Sequence, residues 1–229
     1  MTLTAEAWEA VRLSLIVAFW ATAVSLPIGL VTALALARGQ FPGKALLNGL
    51  VHLPLVLPPV VTGYILLLLF GAQGPLGRAL APLGLVFAFR WTGAVLAAAI
   101  MAFPLMVRAI RLAIEAVDPK LEDAAGSCGL PPVLVFFRVT LPLAMPGVVA
   151  GAILAFAKAM GEFGATITFV SNIPGQTQTL PSAVFAFLQV PGGEATVLAL
   201  VALSIAISMA ALLLSEALAS RIRRRVSGQ

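Results

Sequence analysis

The stretch KLEDAAGSCGLPPVLVFFRVTLPL (residues 120–143) places charged and small residues in the middle of an otherwise strongly apolar chain. Just before it, Asp118 is a good N-cap residue, and Pro119 suits the first helical position. Gly129 suits the left-handed position that ends many helices, and the prolines at 131–132 prevent the helix from continuing. The stretch therefore predicts a capped polar helix of about ten residues over 118–129, roughly 15 Å long.

The composition indicates that this helix belongs to a membrane protein. Apolar residues make up 61% of the 229 residues and charged residues only 10%, with a mean hydropathy of +1.07. Soluble domains average about 45–50% apolar and about 25% charged residues. The single cysteine, Cys128, excludes a disulfide framework, and the lone His52 cannot hold a metal cluster by itself. We therefore predict an all-α integral membrane protein without a metal site.

Five apolar segments are long enough to cross a bilayer, which requires roughly 20 residues of helix. Acidic residues before the first segment argue against a cleaved signal peptide. Pro58 and Pro59 lie in the second segment, where prolines kink a helix. The region 170–194 holds a shorter apolar stretch, 180–190, which predicts a surface or re-entrant helix. The predicted spans are 13–37, 48–70, 92–114, 143–166 and 195–218.

Lysine and arginine favour the cytoplasmic side of a membrane, and five spans place successive connections on opposite sides. One side receives the 38–47 turn, the 115–142 loop and the C-terminal tail. The other side receives only Arg78 and Arg90, with Arg12 at the first boundary. The basic tail is interpreted as an anchor beside anionic lipid rather than a nucleic-acid-binding segment. The first set is therefore predicted to be cytoplasmic, with the N-terminus outside; its basic residues are Arg38, Lys44, Arg108, Arg111, Lys120, Arg138, Arg221, Arg223, Arg224 and Arg225.

One face of the predicted polar helix is small and flat. Leu121, Ala124, Ala125 and Cys128 recur at spacings of three and four residues, which places them on one side of a helix. The two alanines would let the surface of another protein approach closely. An ordinary loop helix lying on the membrane fits the same pattern, and the residues alone leave both interpretations open.

The loop resembles the EAA loop of binding-protein-dependent ABC importer permeases, through EDAA (122–125), Gly129 and TLP (140–142). The resemblance implies a type I ABC importer permease fold, a single transmembrane domain over 1–229, and a cytoplasmic coupling helix that docks on a separate ATPase. Gly126 departs from the family, which often has a basic residue there, and lowers helix propensity by about 1 kcal/mol relative to Ala. The residues that the resemblance assigns to ATPase docking are Leu121, Glu122, Ala124, Ala125, Cys128, Gly129, Leu141 and Pro142.

Longer blocks extend the resemblance to the molybdate permeases of this superfamily. They are FPGKALL (41–47), HLPLVLPPVVTGY (52–64), FPLMVRAIRLAIEAVD (103–118) and GEFGATITFVSNIPGQTQTLPSA (161–183). The resemblance implies a homodimer in the bacterial inner membrane, two cytoplasmic ATPase subunits that carry MgATP, and a periplasmic molybdate-binding protein. An importer of sulfate or tungstate is one alternative. A secondary transporter is another, although the chain shows neither the repeats nor the polar midplane site typical of one.

The chain itself is predicted not to be an enzyme and to bind no cofactor. GQFPGK (39–44) is one residue short of the spacing of a phosphate-binding loop, and Ala45 replaces the hydroxyl that would bind Mg²⁺. ATP hydrolysis would therefore belong to a partner subunit, and no catalytic residue is expected in this chain.

Lys158 and Glu162 are ionisable residues within the fourth predicted span, four residues apart and therefore on one helix face. Because charges at such depth are costly, the two residues either border the translocation path or form a structural ion pair. Pro58 and Pro59 either bend a gating helix or fix a kink that packs the bundle. These four residues are the candidates for the path and gate. The outer region 170–194 is a candidate dock for the binding protein, or a plug over the path.

Overall fold

The computed structural model describes residues 5–226, and the regular structure of this part of the chain is helical. Two non-α segments occur, a 3₁₀ turn at Ala81–Leu83 and a π-helical segment at Phe136–Thr140. The predicted all-α class is confirmed. The α-helices are α1 (Ala5–Arg38), α2 (Lys44–Val56), α3 (Pro59–Phe70), α4 (Pro75–Leu80), α5 (Trp91–Glu115), α6 (Pro119–Ser127), α7 (Pro132–Val135), α8 (Leu141–Met160), α9 (Gly164–Val170), α10 (Leu180–Phe187) and α11 (Glu194–Val226).

Within the described residues, four helical segments are long and apolar enough to cross a membrane. α2 and α3 pass the same test only as a pair, and their axes differ by 113° across a short break. The chain thus offers four spans, or five if the bent pair counts as one, in agreement with the predicted number. The four are Ala5–Arg38, Trp91–Glu115, Pro132–Met160 and the Glu194–Ala211 part of α11.

α5 is the central helix of the bundle and packs against α1 and α8. Its buried face combines small residues, such as Ala94 and Ala98, with the larger Met106 and Ile110. The small residues allow neighbouring backbones to approach, which is how helices associate where lipid removes the hydrophobic driving force between them.

Two glycines of α8 bring it close to α5. A Cβ at Gly147 would collide with the Cβ of Ala113, and a Cβ at Gly151 would lie 3.1 Å from the carbonyl oxygen of Met106. This small-xxx-small spacing fixes α8 against the central helix. The position of α8 matters because its two ends carry the two candidate sites described below.

The predicted continuous helix over 143–166 is wrong. The helical segment runs from Pro132 to Met160 and is interrupted before α9 begins at Gly164. At the interruption the carboxylate of Glu162 accepts a hydrogen bond from the backbone N–H of Ala165 at 3.0 Å. Because such a side-chain acceptor satisfies an otherwise unpaired first-turn donor, it starts a new helix rather than continuing the old one.

The predicted span 48–70 is not a single kinked helix but two helices with a break between them. α2 ends at Val56, and Leu57 and Pro58 are both extended, with ψ of 142° and 134°, before α3 begins at Pro59. A proline lacks the backbone N–H of a helix and disfavours the helical conformation of the residue before it. Two prolines in succession therefore break the segment, where the sequence predicts only a kink.

α1 is longer than its predicted span. It starts at Ala5 rather than near residue 13, and its 34 residues correspond to about 51 Å of helix. Since the hydrocarbon core of a bilayer is about 30 Å thick, α1 extends beyond the core. The additional turns lie at the N-terminal end, where they contact α10.

α10 is the short helix that the sequence predicts within 180–190. The N–H of Leu180 donates to Ser14 Oγ at 2.6 Å, and the two groups are buried. α10 is held between α1 and α11 by a small apolar cluster that contains Ala7, Ala10, Val11, Leu180, Ala183 and Leu200.

α11 continues as a helix to Val226. The side chains of the basic tail, Arg221 and 223–225, lie outside the described residues, as do residues 227–229. The orientation of the two termini therefore stays a prediction.

Candidate coupling site and candidate translocation path

α6 begins and ends where its local sequence dictates. The side chain of Asp118 accepts a hydrogen bond from the backbone N–H of Lys120 at 3.0 Å, which satisfies one unpaired donor of the first turn. After the helix, Gly129 has φ of +87°, a left-handed conformation that glycine adopts readily. The N–H of Leu130 then donates to the carbonyl of Ala125 at 3.3 Å. The predicted capped polar helix is confirmed.

The small face of α6 is turned outward. Leu121 is 49% exposed, Ala124 and Cys128 are exposed, and Ala125 is half-buried. The leucine protrudes beside small residues, so the face offers both an apolar anchor and room for a closely approaching surface. Its use as an ATPase dock stays a prediction.

Glu122 lies on another side of α6, where its carboxylate contacts the chain's own helices. Arg38 Nε lies 3.2 Å from Glu122 Oε2, and Arg38 Nη2 donates to Oε1 at 3.3 Å. Thr140 Oγ1 also donates to Oε1, at 2.6 Å. The sequence groups Glu122 with the docking residues, whereas the structure engages its carboxylate within the chain. We call Arg38, Glu122 and Thr140 the coupling cluster.

The coupling cluster joins several helices at one point. Arg38 is the last residue of α1, and its guanidinium also donates to the carbonyl of Val117, just after α5, at 2.8 Å. Glu122 belongs to α6, and Thr140 ends the π-helical segment that leads into α8. The side chains of Arg38 and Glu122 are only 28% and 20% exposed, so their attraction is screened less than that of a surface ion pair.

The π-helical segment positions the Thr140 hydroxyl. Such segments are rare single-turn insertions and are frequent at functional sites. Thr140 is buried, and its hydroxyl faces the Glu122 carboxylate. Leu141 and Pro142, which the resemblance also assigns to docking, follow directly: Leu141 packs against the main core, and Pro142 is exposed in the first turn of α8.

A cavity of about 920 Å³ lies between α6 and the end of α1. Its wall includes Leu34 and Arg38 from α1 and Glu122 and Gly126 from α6. The packing partners of α6 in the described chain are mainly α7 and the π-helical segment. The direct link between α6 and α1 is therefore polar and depends on the coupling cluster.

Lys158 and Glu162 form an ion pair, but not on one helix face. Lys158 lies in the last turn of α8, whereas Glu162 lies in the break between α8 and α9. The Lys158 Nζ to Glu162 Oε2 distance is 2.7 Å, and the other carboxylate oxygen holds the N–H of Ala165. The Glu162 side chain is 1% exposed and that of Lys158 31% exposed. Glu162 thus has a clear structural role, and Lys158 is the more accessible of the two.

The break at Glu162 lies beside the break at Pro58 and Pro59. A Cβ at Gly164 would lie 2.7 Å from the Cβ of Pro59, and a Cβ at Gly63 would lie 2.5 Å from the carbonyl oxygen of Ala165. α3 and α9 therefore pack backbone to backbone. The structure brings all four candidates for the path and gate into one region, although the proline pair and the ion pair are far apart in the sequence.

Sequence reasoning missed two residues of the coupling cluster. Arg38 entered only through its contribution to the charge asymmetry, and Thr140 only through the motif at 140–142. The ion pair between Arg38 and Glu122 joins positions 84 residues apart. A basic residue at the end of one span and an acidic residue in a later loop were the available signals, and neither specifies the pairing.

Four or five apolar spans, with a capped and exposed helix between α5 and α8, define a multi-pass helical membrane protein. The family model described as "binding-protein-dependent transport system inner membrane component" matches residues 25–224, and the chain belongs to this family of multi-pass inner-membrane proteins. Over 230 residues it is 56% identical to the molybdenum transport system permease protein ModB of Escherichia coli (strain K12), with all of both chains covered. It is 52% identical over 219 residues to the protein of the same name from Haemophilus influenzae, covering 95% of this chain and 96% of that one.

Solved structures agree with the predicted fold class. The chain superimposes with a TM-score of 0.72 on a bacterial ABC transporter involved in the import of the acidic polysaccharide alginate. That match covers 97% of this chain and 80% of the other at 16% sequence identity, so it establishes the fold alone. The fold is that of a type I ABC importer permease, as the loop motif predicts.

Proposed function

We propose that the chain is the membrane-spanning subunit of an ATP-driven importer of molybdate. The observation that carries the proposal is the 56% identity to ModB across the whole of both chains. Membership in a family of binding-protein-dependent systems supports an importer supplied by a binding protein and makes a secondary transporter less favoured. The same similarity favours molybdate over sulfate.

In this proposal two copies of the chain form the pore, and each α6 docks on one of two ATPase subunits. Several large apolar side chains of α2 and α3, among them Leu50, Val60 and Leu68, are exposed and available to a second copy or to lipid. The small outward face of α6 supports docking on the ATPase. MgATP binds the ATPase, since 39–44 of this chain lacks the spacing of a phosphate-binding loop. α6 and the C-terminus face the cytoplasm, and the N-terminus faces the periplasm.

The coupling cluster supplies the route from α6 into the membrane. When the ATPase subunits close, they draw the two α6 helices together. Each Glu122 then pulls Arg38 at the end of α1 and Thr140 at the start of α8. α8 is 20 residues long, about 30 Å, and is packed against α5 through its glycines, so it moves as a rod. Motion at Thr140 therefore reaches Lys158 at the far end.

The far end of α8 is the proposed gate. There the break at Glu162 packs against the break at Pro59, and a shift of α8 changes both together. Lys158 attracts the oxyanion, while its ion pair with Glu162 tempers that attraction. A weak site is what transport needs, because an anion that bound tightly would not leave. Selection among oxyanions is assigned to the periplasmic binding protein.

Uptake of labelled molybdate, tungstate and sulfate into proteoliposomes tests the proposal. The chain is reconstituted with an ABC ATPase and a molybdate-binding protein, and each partner is then omitted in turn. We expect molybdate uptake that requires ATP and both partners. Uptake by the chain alone, driven by an ion gradient, would overturn the importer mechanism, and ATP-dependent uptake of sulfate in preference to molybdate would overturn the substrate.

A further inference from the structure

A cationic cleft lies at the end of the bundle remote from α6. It consists of two adjoining cavities of about 550 and 200 Å³ that share Leu13, Ile16 and Gly175 in their walls. The larger cavity contains Arg90, and the smaller contains Arg12. The cleft is therefore built by the first turns of α1, the start of α5 and the loop after α9, and it presents two guanidinium groups.

The cleft lies at the depth of lipid headgroups. Arg12 and Arg38 bracket the uncharged residues 13–37 of α1, so they are separated by about 39 Å along the helix. The hydrocarbon core is about 30 Å thick, and about 40–45 Å with the headgroup layers. Two exposed tryptophans, Trp8 and Trp91, lie on the same elements, and tryptophan is enriched at the membrane–water interface.

The positive charge of the cleft is not balanced within the chain. In the part of the chain that the structure describes, neither Arg12 nor Arg90 takes part in an ion pair, and both are exposed. Glu9 also lines the smaller cavity, which leaves one net positive charge among these three residues. Two guanidinium forks are suited to the oxygens of a phosphate, which they bind bidentately.

Gln178 adds a hydrogen-bond acceptor to the cleft. Its side chain lines the smaller cavity and is 3% exposed, and its amide oxygen is buried without a hydrogen-bond partner among the described residues. An unpaired buried acceptor is unfavourable. A hydroxyl group located next to a bound phosphate would satisfy it.

We infer that this cleft binds a phosphodiester headgroup that carries a hydroxyl, the chemistry of phosphatidylglycerol. The phosphate lies between Arg12 and Arg90, and the hydroxyl donates to Gln178. The lipid would brace the first turns of α1 against the loop after α9. Lys158 and Glu162 do not line this cleft, whereas Gly175 and Gln178 belong to the region 170–194 that is also the candidate dock for the binding protein.

Native mass spectrometry of the full-length chain in neutral detergent tests the inference. The lipid probes are phosphatidylglycerol, phosphatidic acid, which lacks the headgroup hydroxyl, and phosphatidylcholine, which is zwitterionic. Glycerol phosphate is the soluble counterpart. The variants are Arg12→Gln with Arg90→Gln, Glu9→Gln and Gln178→Leu. Arg78→Gln is the matched control, because Arg78 is an exposed arginine of α4 outside the cleft.

We expect wild type to retain phosphatidylglycerol in preference to phosphatidylcholine. The double arginine variant should weaken retention about twenty-fivefold, at about fivefold per arginine, and Glu9→Gln should strengthen it about fivefold. Gln178→Leu should lower phosphatidylglycerol retention to the level of phosphatidic acid. Arg78→Gln should match wild type.

The outcomes separate the sources of the ligand. If glycerol phosphate binds the wild type and not the double variant, the site exists but also serves a soluble ligand. Equal retention of phosphatidylglycerol and phosphatidylcholine, with no soluble binding, would overturn the inference. An Arg78→Gln loss as large as that of the double variant would also overturn it, because retention would then follow the general surface charge.

Discussion

Replacing Glu122 with glutamine should uncouple ATP hydrolysis from transport while leaving the helix bundle folded. Glutamine keeps the shape of the side chain but removes the charge that holds Arg38 at 3.2 Å and Thr140 at 2.6 Å. Hydrogen bonds to charged groups contribute about 1.5–3 kcal/mol and neutral ones about 0.5–1.5 kcal/mol. Because the pair is partly exposed, we take a loss of about 1.4 kcal/mol, which corresponds to about a tenfold change in an equilibrium.

The assay measures molybdate uptake and ATP hydrolysis in the same proteoliposomes. Uptake per ATP should fall about tenfold in Glu122→Gln, following that equilibrium change. Arg38→Gln should act similarly, and the double variant should be little worse than either, since both single changes break the same contact. Glu115→Gln is the matched control, because Glu115 pairs with Arg111 at 2.7 Å on a more exposed surface. Such surface pairs contribute only about 0.3–0.5 kcal/mol.

Three results would refute this reasoning. Unchanged uptake per ATP in Glu122→Gln would show that the coupling cluster does not couple ATP hydrolysis to transport. An equal loss in Glu115→Gln would show that any lost charge near α6 suffices. The third result comes from co-purification of the chain with the ATPase. We expect Leu121→Glu to weaken co-purification and Glu122→Gln to leave it unchanged. If Glu122→Gln alone releases the ATPase, Glu122 is a docking residue rather than an internal link.

Other predictions concern the glycines and Lys158. Gly63→Ala should lower the thermal unfolding temperature in detergent, because the added Cβ would lie 2.5 Å from the carbonyl oxygen of Ala165 and overpacking costs about 1–3 kcal/mol. Gly126→Ala should not lower it, because a Cβ there meets nothing within 4 Å and alanine raises helix propensity by about 1 kcal/mol. Gly129→Val should reduce uptake per ATP without preventing membrane insertion, since a left-handed residue other than glycine costs about 1–2 kcal/mol; uptake equal to wild type would contradict this. Lys158→Gln should reduce molybdate uptake and lower the unfolding temperature, because it leaves the buried Glu162 carboxylate without its cation; normal uptake by the protein that stays folded would mark Lys158 as purely structural.

The sequence predicts well those features that depend on neighbouring residues or on composition. The limits of α6 follow from Asp118 and Gly129, each of which acts within a few residues along the chain. The number of apolar spans follows from composition, because a bilayer demands a fixed length of apolar helix. These features need no knowledge of what packs against them, and the structure agrees with both.

What the sequence fails to predict depends on contacts between distant segments. The break after Met160 lies at residues 161–163 and contains no proline; there the Glu162 carboxylate accepts from the N–H of Ala165 in the first turn of α9 instead of extending α8. Whether that carboxylate turns back toward the chain depends on Lys158 and on α3 packing against α9. The inward position of Glu122 depends in the same way on Arg38, which lies 84 residues earlier at the end of α1.

The break at Glu162 accommodates a charged pair inside the helix bundle. Irregular backbone is tolerated at membrane depth only where its polar groups are satisfied or line a water-filled path. Glu162 satisfies Ala165 and Lys158 at once, and so stabilises the break that it occupies. Because Pro59 is in contact range of that break through Gly164, α3 cannot tilt without disturbing it. A pull on α8 through the coupling cluster would therefore act on both breaks together. The packing of the two breaks would then be sufficient for a gate with two positions.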